Sequence, residues 1–125
     1  MARMQSLNIL AEVSRLRQTA AWSFAGLRTT WTEEKSFRQW LAANALSWLA
    51  LCALHLPPLE VALLFALGAF VLVAELFNTA IETTIDYVST STHPLAKKTK
   101  DVASAAVFLA AVTWAVCWAL IVLLK

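Results

Sequence analysis

The stretch Glu75-Leu76-Phe77-Asn78-Thr79-Ala80-Ile81-Glu82-Thr83-Thr84-Ile85-Asp86 decides how this chain is read. It continues the apolar segment 61–74 without a break, so three acids and an amide end a run otherwise suited to hydrocarbon. On a helix, Glu75, Asn78, Glu82 and Asp86 follow one another at spacings of three and four residues, which places them on one face. An acid turned toward lipid at mid-helix costs roughly 2.5–3.5 kcal/mol on insertion scales. That face therefore turns to a protein interior, a polar cavity or a bound ion. Nearer the helix end, Glu82 and Asp86 also read as solvated terminal residues.

The composition around this stretch is that of a membrane protein. Hydrophobic residues make up 60% and charged residues 14% of the 125 residues, against roughly 45–50% and 25% in soluble domains. Two glycines and three prolines leave no low-complexity linker. The expectation is a single all-α integral membrane domain, 1–125. Cys52 and Cys117 sit inside apolar runs, remote from any metal-ligand spacing, and read as small buried hydrophobes. Residues 1–20 alternate basic and apolar residues without the continuous apolar core of a cleavable leader.

From Leu7 to Trp31 the apolar residues Leu10, Val13, Leu16, Ala20, Phe24, Leu27 and Trp31 recur every three or four positions. Arg15 projects nearly opposite that stripe, with Arg17 and Arg28 at its margins. A basic amphipathic helix over about 7–31 is expected to lie in the membrane interface. A polar link over 32–39 follows, then a first span over about 37–56 flanked by Trp40 and His55. Pro57 and Pro58 close it, since neither donates the backbone bond that continuation needs. The second span is expected over 59–88, a polar loop over 89–98, and the third span over 102–124.

Nine of the ten Lys and Arg residues precede the first span or fall in the 97–100 loop, and only Lys125 lies at the far end. The positive-inside rule puts the amino terminus and that loop in the cytoplasm. Glu75 then lies about 20 Å along its helix from the inner end, at 1.5 Å per residue. An acid at that depth is neutral, paired or functional. Lys97 and Lys98 read as a headgroup-facing patch, whereas Lys100 beside Asp101 at the membrane edge suits a phosphate. Glu34 reaches the same interface, and carboxylates gathered there suit Mg²⁺, which takes oxygen ligands and keeps phosphates as partners. There is no P-loop, no His/Cys zinc pattern and no nucleophile elbow. The residues leave three readings open: an enzyme, a small proton- or cation-coupled transporter subunit, or an accessory membrane subunit.

Ala74-Glu75-Leu76-Phe77-Asn78-Thr79-Ala80-Ile81-Glu82 resembles the E-x-x-N-[ST]-A-I-E signature of the small bacterial diacylglycerol kinases. Lys100-Asp101 with Ser104-Ala105-Ala106-Val107 is similar to their K-D-x-x-S-A-A-V segment. Gly26-Leu27-Arg28, Trp31, Glu34 and Phe37-Arg38-Gln39 resemble their amino-terminal block. The likeness runs from about Val13 to the carboxyl end. It implies a homotrimer of three-span subunits, each with an amphipathic surface helix, in the bacterial inner membrane. The implied reaction is ATP-dependent phosphorylation of a membrane lipid hydroxyl, most directly diacylglycerol to phosphatidic acid with release of ADP, in lipid recycling.

By position, the resemblance makes Glu75 the general base and gives Glu34 and Glu82 to Mg²⁺. Asn78, Lys100 and Asp101 complete the catalytic set. Arg15, Trp22, Ser91, Thr92 and His93 join Glu34, Glu82, Lys100 and Asp101 at ATP. Arg15, Ser23, Arg28, Trp31, Glu75 and Ser104 lie on the lipid side. Phosphoryl transfer needs charge neutralisation and in-line positioning more than covalent help, so a metal and a lysine can serve without a P-loop. Trp22 stands where a tyrosine is usual, and Trp40 where some members carry a further carboxylate. The loop Ser91-Thr92-His93-Pro94-Leu95-Ala96-Lys97 resembles the undecaprenol kinase branch, so both lipid alcohols are candidate substrates.

Overall fold

The structure, a computed structural model, describes the backbone of residues 2–124 and the side chains of residues 11–124. Within that range it is all helical, with four helices and no strand. The helices are α1 (Ala2–Glu33), α2 (Lys35–Leu54), α3 (Pro58–Val88) and α4 (Pro94–Leu123). The chain divides into two compact units, Met1–Glu33 and Glu34–Lys125.

The first unit is α1 alone. Its apolar residues Val13, Leu16, Phe24, Leu27 and Trp31 are exposed, as are most of the polar residues between them. Leu10, which the periodicity adds to that stripe, lies outside the described side chains. The hydroxyls of Ser14, Thr19, Ser23, Thr30 and Thr32 donate to backbone carbonyls three or four residues earlier. Such back-bonding satisfies each hydroxyl within the helix itself.

A single residue separates α1 from α2, where a polar link over 32–39 was expected. Glu34 takes an extended conformation (φ −100°, ψ 113°). Its carbonyl already accepts from the Arg38 amide, and neither Gly nor Pro interrupts 32–39, so the helix restarts at once. α2 ends at His55, which adopts the left-handed conformation (φ 48°, ψ 46°) that closes many helices. Pro58 then occupies the first turn of α3, where its missing N–H costs no hydrogen bond.

α4 also begins earlier than expected. The polar loop over 89–98 is shortened to 89–93, because Pro94 starts the helix and the His93 Nδ1 accepts the Leu95 amide at 3.2 Å. An imidazole in this capping place satisfies one of the four free N–H groups at a helix start. Lys97, Lys98 and Lys100 are consequently helical.

α3 and α4 are long and apolar enough to cross a membrane. At 31 residues, α3 measures about 46 Å, longer than the ~30 Å hydrocarbon layer. In the second unit α3 packs against both α4 and α2. The buried residues of α3 are Leu64, Gly68, Val71 and Glu75. Those of α4 are Ala103, Val107, Ala110 and Trp114, and those of α2 are Phe37, Asn44, Ser47 and Leu51. Each set recurs at helical spacing, so each helix offers one narrow stripe to its neighbours. The Trp118 indole donates to the Ser47 hydroxyl at 3.0 Å, tying α4 to α2. The cysteines are unpaired; Cys117 is half-buried, but Cys52 is exposed on α2 rather than buried as its apolar surroundings suggested.

Gly68 marks the tightest approach. A Cβ there would lie 2.4 Å from the Asn44 Oδ1 and 3.0 Å from the Trp114 ring. Neither neighbour yields easily, since Asn44 is fully buried, its Nδ2 donates to the Trp40 carbonyl at 3.0 Å, and Trp114 is buried too. Gly68→Ala is therefore expected to lower stability by about 1–3 kcal/mol. The penalty should shrink in an Asn44→Ala background, and thermal unfolding of the unmodified protein, the two single variants and the double variant in detergent measures both effects.

Candidate functional site

The buried stripe of α3 changes chemistry without changing direction. Leu64, Gly68, Val71 and Glu75 are spaced by four, three and four residues, and Asn78, Glu82 and Asp86 extend the same line. Glu75 is only 3% exposed. No hydrogen bond or ion pair reaches its carboxylate from the described residues. A carboxylate with so little exposure and no partner among the described residues is costly.

One turn on, the Asn78 Nδ2 donates to the Glu82 Oε1 at 3.0 Å. The Asn78 Oδ1 is buried and makes no hydrogen bond. The two residues thus place a carboxylate and an unbonded carboxamide oxygen one turn apart on α3, both hard-oxygen donors. A third turn brings Asp86, whose Oδ1 accepts from the Lys100 Nζ at 2.6 Å across to α4. Lys97 and Asp101 form a second ion pair at 2.6 Å within α4.

Both pairs border a cavity of about 670 Å³ where α3 passes into α4. Of the residues expected at the nucleotide, Ser91, Thr92, His93, Lys100 and Asp101 line it together with Asp86. Ser89 and Ser91 share a hydroxyl contact of 2.7 Å that shapes the loop. Glu34 is half-buried at the start of α2, and Ser104 is exposed on α4. Among the described residues, no three His, Cys, Asp or Glu side chains converge as a metal cage.

The remaining expected residues belong to α1. Arg15 pairs with Glu12 at 3.0 Å on an exposed surface. Trp22, Arg28 and Trp31 are exposed, and the Ser23 hydroxyl is engaged with the Thr19 carbonyl at 3.0 Å. Sequence reasoning singled out neither Asp86 as the partner of Lys100 nor Asn44 as a core residue. The signal for Asp86 was its spacing of four from Glu82. For Asn44 it was a lone carboxamide inside the apolar part of α2, which is expensive in hydrocarbon unless it faces protein.

Residues 21–122 match the profile of a family described as prokaryotic diacylglycerol kinase. The chain is 37% identical over 111 residues to the diacylglycerol kinase of Pseudomonas aeruginosa, covering 89% of this chain and 90% of that one. It is 32% identical to the diacylglycerol kinase of Escherichia coli K12 over 108 residues, or 86% and 88% of the two chains. The diacylglycerol kinase of Helicobacter pylori strain 26695 is 39% identical over 105 residues, or 83% and 81%. These relatives are kinases, which leaves the transporter reading without support.

Proposed function

The chain belongs to the prokaryotic diacylglycerol kinase family, and from that premise we propose that it transfers the γ-phosphoryl group of ATP to the free hydroxyl of diacylglycerol, giving phosphatidic acid and ADP. The observation that carries the site assignment is Glu75. A carboxylate that ends the core stripe of a membrane-length helix, 3% exposed and unpaired, is suited to meet a substrate that arrives through the bilayer.

In this reading Glu75 takes the proton of the lipid hydroxyl as its oxygen attacks the γ-phosphorus. Glu34 and Glu82 would hold Mg²⁺ through their carboxylate oxygens, with Asn78, whose Nδ2 donates to Glu82 and whose Oδ1 has no partner, one turn away on α3. With the nucleotide bound, the metal supplies charge neutralisation on the transferring phosphoryl group. A site that shares its metal with phosphates needs few protein ligands, so the lack of a three-residue cage among the described residues is compatible with it. Lys100 neutralises phosphate charge, Asp101 orients it through Lys97, and the wall formed by Ser91, Thr92 and His93 receives the nucleotide. Of α1, considered by itself, the family resemblance gives Arg15 and Trp22 to the nucleotide. The same resemblance gives Ser23, Arg28 and Trp31 of α1, and separately Ser104 of α4, to the lipid.

The wider arrangement belongs to the same proposal. α1 lies in the interface, α2, α3 and α4 cross the bacterial inner membrane, and the 89–93 loop faces the cytoplasm where ATP is found. Twenty residues give α2 about 30 Å, enough for one crossing. Three copies form the working enzyme. The assay offers diacylglycerol and undecaprenol side by side to purified protein in mixed micelles with labelled ATP. Phosphatidic acid is the expected main product. Preferential labelling of undecaprenol moves the enzyme to the polyprenol branch, and labelling of neither lipid ends the reading.

A further inference from the structure

Two lysines border the cavity between α3 and α4, and they are held differently. Lys97 is 78% exposed and pairs with Asp101 on its own helix, one turn away. The Lys100 side chain is only 34% exposed, and its ammonium is drawn across to a different helix, where Asp86 accepts it at 2.6 Å. Asp86 is also the last member of the line Glu75, Asn78, Glu82 and Asp86, one turn beyond the Asn78–Glu82 pair. The contact therefore brings the Lys100 ammonium to the very face of α3 that carries the catalytic acids.

A lysine four methylenes long, in the second turn of a helix beside water, samples many rotamers when nothing anchors it. Its charge then serves a polyphosphate only part of the time. An ammonium carries three N–H donors. One is committed to Asp86, and two remain for phosphate oxygens. Asp86 and the phosphates accordingly share Lys100 rather than compete for it. A half-exposed carboxylate already neutralised at 2.6 Å projects little field, so its repulsion of the nucleotide is the smaller effect.

We propose that Asp86 is the positioning residue of the phosphate site: it acts through Lys100, fixing the ammonium over the Asn78–Glu82 face before nucleotide arrives. The proposal rests on the reading of Lys100 as a phosphate-binding group. The experiment measures the Kd of a non-hydrolysable ATP analogue with Mg²⁺ on the full-length protein in detergent micelles. The variants are Asp86→Ala, Asp86→Glu, Lys100→Met and Asp86→Ala/Lys100→Met. Asp86→Ala is expected to weaken binding about tenfold, the order of the rotamer freedom released, while Asp86→Glu, which keeps the anchor, restores most of it. In the Lys100→Met background, Asp86→Ala should change nothing. A merely structural Asp86 weakens binding equally in both backgrounds, and a competing Asp86 makes Asp86→Ala bind more tightly; either result overturns the proposal while leaving Lys100 at the phosphates. If Lys100→Met binds the analogue as well as the unmodified protein does, the underlying assignment of Lys100 falls as well.

Discussion

Glu75→Gln is expected to reduce turnover about a thousandfold while leaving the protein folded. Removing a general base typically forfeits 10²–10⁴-fold, roughly what its proton transfer contributes. Gln matches Glu in shape, so the stripe Leu64, Gly68, Val71 and position 75 keeps its packing. Because Glu75 is 3% exposed and has no partner among the described residues, a neutral amide of the same shape breaks no hydrogen bond or ion pair there. Thermal unfolding in detergent should thus show undiminished stability in the same sample that has lost activity. That opposition is the useful part of the test, because a packing defect lowers both. Glu75→Asp keeps the base but withdraws it by one methylene, and a misplacement of this size is expected to cost about a hundredfold. Initial rates at saturating ATP and lipid measure each effect; undiminished turnover in Glu75→Gln removes the residue from the proton-transfer step.

Glu82→Gln should show a loss of a different kind. The amide oxygen of Gln still accepts from the Asn78 Nδ2, so the 3.0 Å bond along α3 is retained. What disappears is the negative charge beside the free Asn78 Oδ1. Magnesium affinity is expected to fall by at least about 10–100-fold, the loss that altering even an outer-shell partner of a metal site brings. At fixed low magnesium, kcat/KM drops in proportion, and raising magnesium should recover part of it. The Glu75 variant gains nothing from added metal. Titrating magnesium against rate in both variants therefore separates the proton-transfer role from the metal role. Equal insensitivity of both variants to magnesium contradicts the assignment of Glu82.

Much of this site is visible in the sequence because it lies on one helix. The spacing of Glu75, Asn78, Glu82 and Asp86 is a local property, fixed by 3.6 residues per turn whatever surrounds the helix. The limits of α3 are legible for a similar reason, since Pro58 starts the helix and the apolar run carries it to Val88. The two boundary errors have local causes that composition hides. Glu34 breaks the chain for a single residue without Gly or Pro, and His93 caps α4 in place of the Ser, Thr, Asp or Asn that usually signals a start.

By itself, then, the sequence determined an all-helical chain with membrane-length apolar segments and a polar line along one of them, because periodicity and hydropathy are read residue by residue. Only the tertiary structure decided which members of that line are covered and which are paired. Glu75 is buried because the core stripe of α3 continues through it, and Asp86 meets Lys100 because α4 packs back against α3. Burial and cross-helix pairing depend on which face a neighbour covers, and no spacing within a single helix contains that.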